Sequence, residues 1–157
     1  MTKADPHHKN QTVTLTLSRA EYTDLIKLTY AGDWLINAIR TPGEEIEKYK
    51  RIEQSVYKAG LENGFSDLLE LSDEYGEVFP TNELEESDVS EYIHEYNEQI
   101  MWEELIDLLA IRDFERKYGE AEIAAMSQSE RIDKQSNFFD KYGEEFEEHG
   151  TDHLEIA

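Results

Sequence analysis

A chain of 157 residues, 33% charged and 38% apolar, has the length of one domain, and its two Trp, six Phe and nine Tyr argue for a packed core over disorder. Its 37 Asp/Glu against 15 Lys/Arg give a formal net charge of -22, which disfavours nucleic acid and anionic membranes as partners and favours cations or a basic protein. The absence of cysteine excludes disulfides and thiolate metal sites, and no apolar run reaches membrane-spanning length.

The charge is unevenly spread. Residues 1–58 hold nine Lys/Arg and eight Asp/Glu, residues 59–111 hold sixteen Asp/Glu and no Lys or Arg, and residues 112–157 hold six basic and thirteen acidic side chains. The acidity therefore belongs to the middle and the tail.

Residues 1–11 are polar, include Pro6 and the pair His7-His8, and read as a flexible arm. They carry no signal-peptide core, so a cytoplasmic protein is expected. Thr12 to Leu17 alternates polar and apolar residues and is rich in β-branched side chains, the pattern of a short strand. Its expected partner is the alternating C-terminal stretch His153 to Ile156, which would place a minor β element at the termini; a strand of a second subunit is the alternative.

Ser18-Arg19-Ala20-Glu21 matches a capping box and opens a helix running to about Arg40. The wide apolar arc of this helix predicts heavy burial, and Gly32 within it predicts a close helix crossing or a break. Tyr30, Asp33, Asn37 and Arg40 share one side, as a polar pocket or, more simply, a surface salt link. Thr41-Pro42-Gly43 ends that helix, and a second one is expected over residues 44–62, with Ile46, Tyr49, Ile52, Val56 and Ala59 inward. Its other side, which includes Lys48, Lys50, Arg51 and Glu53, reads as an exposed face whose basic residues are counter-charges for the acidic middle. A short helix over Asp67 to Tyr75 and a loop at Val78 to Asn82 follow.

The longest expected helix runs from Asp88 to Tyr118, about 46 Å at 1.5 Å per residue, with Ser87 as N-cap and Gly119 as C-cap. A short helical piece follows over Glu120 to Met126. Ser127-Gln128-Ser129-Glu130 then opens a last helix, which Gly143 would interrupt.

No phosphate loop, nucleophile elbow or zinc-protease spacing occurs. Glu103, Glu104 and Asp107 project from the same side of the long helix as an apolar row, where they either face water or converge on a hard cation such as magnesium. Glu83-Leu84-Glu85-Glu86 together with Glu104-Leu105-Ile106-Asp107 resembles the acidic pattern of the all-α nucleoside triphosphate pyrophosphohydrolases. That resemblance implies magnesium held by Glu-x-x-Glu and Glu-x-x-Asp, although in that family the two patterns stand on separate helices. His149 and His153, four apart, suit zinc if both are helical, but Gly150-Thr151 between them points to a helix end. His94 reads as a surface residue.

The expected fold is a mainly α, single-domain bundle of about five helices over residues 12–157, with the minor β element formed by the termini. The expected function is non-catalytic: an acidic interaction or regulatory protein that binds a basic partner without a cofactor, with homo-oligomers compatible. A magnesium-dependent pyrophosphohydrolase-like enzyme using Glu103, Glu104 and Asp107 is the alternative.

Overall fold

At Ser18 the capping box forms in both directions: the Glu21 amide donates to Ser18 Oγ at 3.3 Å and the Ser18 amide to Glu21 Oε2 at 2.7 Å. It opens the first of five helices in a computed structural model that describes residues 12–155. The order is α1 (Arg19–Asn37), α2 (Glu47–Glu62), β1 (Leu69–Leu71), β2 (Val78–Pro80), α3 (Asn82–Glu85), α4 (Asp88–Ala125) and α5 (Gln128–His149). None of these helices is long and apolar enough to cross a membrane. The chain divides between Glu91 and Tyr92 into two compact units.

In the first unit α1 and α2 cross at Gly60. A Cβ there would lie 2.7 Å from Leu69 Cδ1 and 3.3 Å from both Ile26 Cδ1 and Tyr22 Cε1, so only hydrogen fits without displacement. The sequence placed the close crossing at Gly32, where a Cβ would meet nothing within 4 Å and the helix runs on unbroken. Around Gly60 the core collects Ile26, Tyr57, Phe65, Leu69, Val78 and Leu84. Arg19 locks the end of α2: its guanidinium donates to the carbonyls of Asn63 and Gly64 and lies 4.2 Å from the Phe65 ring centroid.

With one helix and a hairpin to pack against, α1 cannot bury its whole apolar arc. Leu28 and Leu35 remain exposed, as do Ile39 just past the end of α1 and Ile52 on α2, contrary to the burial their spacing predicts.

The β element lies in the middle of the chain and not at the termini. β1 pairs antiparallel with β2, Leu69 opposite Pro80 and Leu71 opposite Val78, where the sequence suggested a short helix and a loop. Two causes favour the hairpin: Leu69 and Val78 seal the α1–α2 crossing, and Gly76 at φ 66° supplies a backbone conformation that other residues resist. Residues 12–18 are irregular, with Val13 and Leu15 exposed, and residues 153–155 carry no strand, so the expected terminal pairing is replaced. Ile156 and the arm expected over residues 1–11, with His7 and His8, lie outside the described residues.

The second unit is an antiparallel helical hairpin. α4 consists of two helical pieces that meet at a kink: its helical geometry breaks at Gly119 (φ 70°, ψ 161°), the position expected for a cap, and the piece from there to Ala125 is the short one expected over Glu120 to Met126. Ser127 caps α5, its hydroxyl accepting from the Glu130 amide at 3.2 Å, and Gly143 does not interrupt it. Aromatic rings join the two helices: Phe114 against Phe138 at 5.9 Å and Trp102 against Phe146 at 5.5 Å. Beside them Asp113 accepts from the Tyr142 hydroxyl at 2.5 Å and pairs with Arg112, Arg116 and Lys141; the tyrosine bond foremost, then Arg112 and Lys141, hold its carboxyl below the usual range.

The two glycines of the first unit respond in opposite directions to alanine. Gly32→Ala gains helix propensity in open space and raises stability by about 1 kcal/mol. Gly60→Ala lowers it, because overpacking of about 1–3 kcal/mol outweighs the same gain. Denaturant unfolding of both variants measures the contrast.

Candidate functional site

The first unit carries a cleft of about 410 Å³ between α1, α2 and β2. It forms because polar side chains on the helices complete the backbone of neighbouring segments. Asn37, 8% exposed, donates to Asp33 Oδ1 at 2.6 Å and accepts from the Ile46 amide at 3.0 Å, fixing the loop that leads into α2. Gln54 acts as a third rung of the hairpin: its amide donates to the Val78 carbonyl at 2.8 Å and accepts from the Val78 amide at 2.9 Å. The pairing of Ser72 with Glu77 and of Thr81 with Leu68 uses the inner edge of the hairpin, so Val78 points its backbone groups at α2.

Four carboxylates line this cleft, Asp33 from α1, Glu45 from the loop before α2, Glu53 from α2 and Glu77 beside β2, with Tyr30, Trp34 and Phe79 among its walls. Lys50 Nζ meets Glu77 Oε2 at 3.1 Å and is held above its ordinary range by that contact. Arg40 lines the cleft as well, with its guanidinium bonded to the Ile36 carbonyl. Glu53 stands apart. Burial, followed by the charge of Asp33 and, less strongly, that of Glu77, pushes its carboxyl up to about 7, with Gln54 and Lys50 offsetting part of the effect.

Tyr57, one turn further along α2, is fully buried and its hydroxyl has no hydrogen-bond partner among the described residues. Burial, and then the charges of Glu53 and Asp33, hold that hydroxyl in its protonated form. An unsatisfied buried hydroxyl costs about 1–3 kcal/mol, so this part of α2 is organised at the expense of stability.

Of the residues singled out in the sequence, Tyr30, Asp33, Asn37 and Arg40 do meet, around the cleft and without an Asp33–Arg40 ion pair among the described residues. Glu53, assigned to an exposed salt-laced face, turns inward instead. The signal was present as Glu53, Tyr57 and Gly60 at positions i, i+4 and i+7, but a carboxylate heading an inward row is discounted when hydrophobic spacing alone is read.

Glu103, Glu104 and Asp107 are exposed on α4, with Gln99 Nε2 donating to Glu103 Oε1 at 2.5 Å. Glu83 and Glu86 are exposed at the short α3 and the turn after it. His94 is exposed on α4. His149 and His153 come together with Glu145 at the end of α5, the one trio of potential ligand groups among the described residues. No family model, no curated protein and no solved structure matches the chain.

Because the folded-state pKa of Glu53 exceeds that of a free glutamate, its contribution favours folding at low pH and is lost as pH rises toward about 7. Glu53→Gln, which stays neutral, is therefore expected to raise stability at pH 8 by an amount on the order of 1–3 kcal/mol and to have little effect at pH 4. Urea unfolding of both proteins at the two pH values tests this, and removing Gln54 gives a second check. Gln54→Leu orphans both backbone groups of the buried Val78 and should cost about 2–4 kcal/mol at pH 4, and more at pH 8, where the ionised Glu53 also loses its hydrogen bond from Gln54.

Proposed function

We propose that this chain is a non-catalytic interaction protein that binds a basic partner, and that the cleft of the first unit receives one lysine or arginine side chain of it. The observation that carries this reading is the half-buried Glu53 beside Asp33 and Glu77, where the nearby cations are already engaged: Lys50 by Glu77 and Arg40 by a backbone carbonyl. Like charges in a sheltered site repel one another, and an incoming ammonium or guanidinium group relieves that repulsion. The rings of Tyr30, Trp34 and Phe79 add faces on which a cation or its aliphatic stem can lie.

The acidic middle of the chain supports the same reading. Of its sixteen carboxylates only Glu77 and Asp88 meet a Lys or Arg among the described residues, at 3.1 Å and 2.5 Å. Along α4 the unpaired acids alternate with exposed Tyr92, Tyr96, Met101 and Leu108, a mixture suited to a basic segment that also carries apolar residues.

The test uses an arginine-rich peptide and its citrulline counterpart, which keeps shape but removes charge. The arginine peptide should bind in calorimetry, and binding should fall steeply with salt, because exposed charges are screened over about 10 Å at roughly 0.1 M. Asp33→Asn combined with Glu53→Gln should weaken it about tenfold, equivalent to about 1.4 kcal/mol. Affinity should also be higher at pH 8 than at pH 6, since Glu53 ionises between them. Equal binding of the citrulline peptide, or affinity indifferent to the double substitution, would refute the cleft as the receptor.

A further inference from the structure

At the C-terminal end of α5 the chain reverses and brings a third ligating group back to two on the helix. Glu145 and His149 are one turn apart on the same face of α5. Gly150 then takes φ 56°, and the following turn returns His153 to that face, so that the rings of His149 and His153 have centroids 4.4 Å apart. A carboxylate oxygen of Glu145 and one ring nitrogen of each histidine lie within 4.8 Å of one another. The interruption at Gly150-Thr151, which in the sequence argued against a metal site, is thus the feature that closes the group.

We propose that Glu145, His149 and His153 bind a divalent transition-metal ion, with zinc the ion their ligand set suits. Two imidazoles and one carboxylate are the donor types zinc takes at about 2.0–2.2 Å, and three protein ligands leave a fourth tetrahedral position for water or a group from outside. Tetrahedral coordination at that distance needs ligand atoms about 3.4 Å apart. The contact between His153 Nδ1 and Glu145 Oε1, at 2.6 Å, must open toward that value, and no pair of the trio lies more than 4.8 Å apart, a span that side-chain rotation can adjust. His153 is exposed, so this adjustment disturbs no packing.

Electrostatics favours a cation at the same point. The last turn of a helix carries the negative end of its dipole. Glu144, Glu147, Glu148 and Asp152 surround the trio in sequence, and Glu148 Oε2 lies 3.7 Å from His149 Nε2, adding negative charge beside that imidazole. A hard ion such as magnesium gains little from two imidazoles, which separates this site from any purely carboxylate one. The inference is independent of the proposed function, since all three ligands belong to the second unit.

The experiment is a zinc titration of chelator-treated protein by calorimetry, with a parallel melting curve and nitrogen-resolved NMR of the histidine rings. It is run in a His7→Ala/His8→Ala background so that this adjacent histidine pair cannot contribute. Binding of one zinc per chain is expected, with a raised melting temperature and shifts confined to His149 and His153. His149→Ala and His153→Ala should each weaken binding at least about tenfold, the loss that even outer-shell partners of a metal cause, and magnesium should give no response. Absence of stoichiometric binding, or binding unchanged in both single variants, would overturn the site. The ring shifts of the unsubstituted trio decide the matter should a variant fail to fold.

Discussion

Mutual repulsion of carboxylates is the constraint under which both units are built. With 37 acidic and 15 basic side chains, this chain cannot pair its charges, and an ionised carboxylate taken from water without a partner is costly. Acids therefore spread over the surface, and the interior is left to a few large residues: Ile26, Tyr57, Leu69 and Leu84 in the first unit, Phe114 and Phe146 in the second. The scarce cations are shared where they do most. Asp113 gathers Arg112, Arg116 and Lys141 at the side of the aromatic seam, and Lys134 reaches both Glu122 and Glu130 while lying over the Tyr118 ring.

The cleft of the first unit departs from that distribution. Glu53 heads the inward row of α2, and the close approach at Gly60 and the Gln54 bonds to Val78 draw α1 and the hairpin against that row. Backbone satisfaction and steric fit thus hold Glu53 near Asp33 and Glu77 against their repulsion, and the orphan hydroxyl of Tyr57 adds to the local cost. Sites that bind or react characteristically retain such strain, because a ligand of the right charge removes it.

The end of α5 shows the other way in which local chemistry concentrates charge. There Glu145 and His149 are only half-buried and His153 is exposed, and the helix spacing, not core packing, sets the first two side by side. A glycine with positive φ reverses the chain, and the reversal converts an i, i+4 pair into a trio with mixed donors. The two places differ in what they offer: oxygen ligands and aromatic walls in the cleft, imidazole nitrogens at the helix end.

Much of this was legible in the residues themselves. Capping at Ser18 and Ser127, the break at Gly119, the helical class and the acidic middle all follow from interactions within a few residues, which a sequence specifies directly. Pairing over long separations was not legible. The alternation of Thr12 to Leu17 predicts a strand, but a strand exists only where a partner's backbone is in reach, and the packing at Gly60 selected Leu69–Leu71 with Val78–Pro80 instead. The same limit concealed the inward turn of Glu53 and the exposure of Leu28, Leu35 and Ile39, because which face of a helix is buried depends on how many neighbours it has. His149 and His153 could be read as a pair, but only the turn at Gly150 decided that Glu145 joins them. The sequence by itself determined the long helices, the caps at Ser18 and Ser127 and the charge; tertiary structure alone decided that the stretch after Asp67 joins a hairpin, which helix faces are buried and which acids meet, because those depend on contacts between residues far apart in the chain.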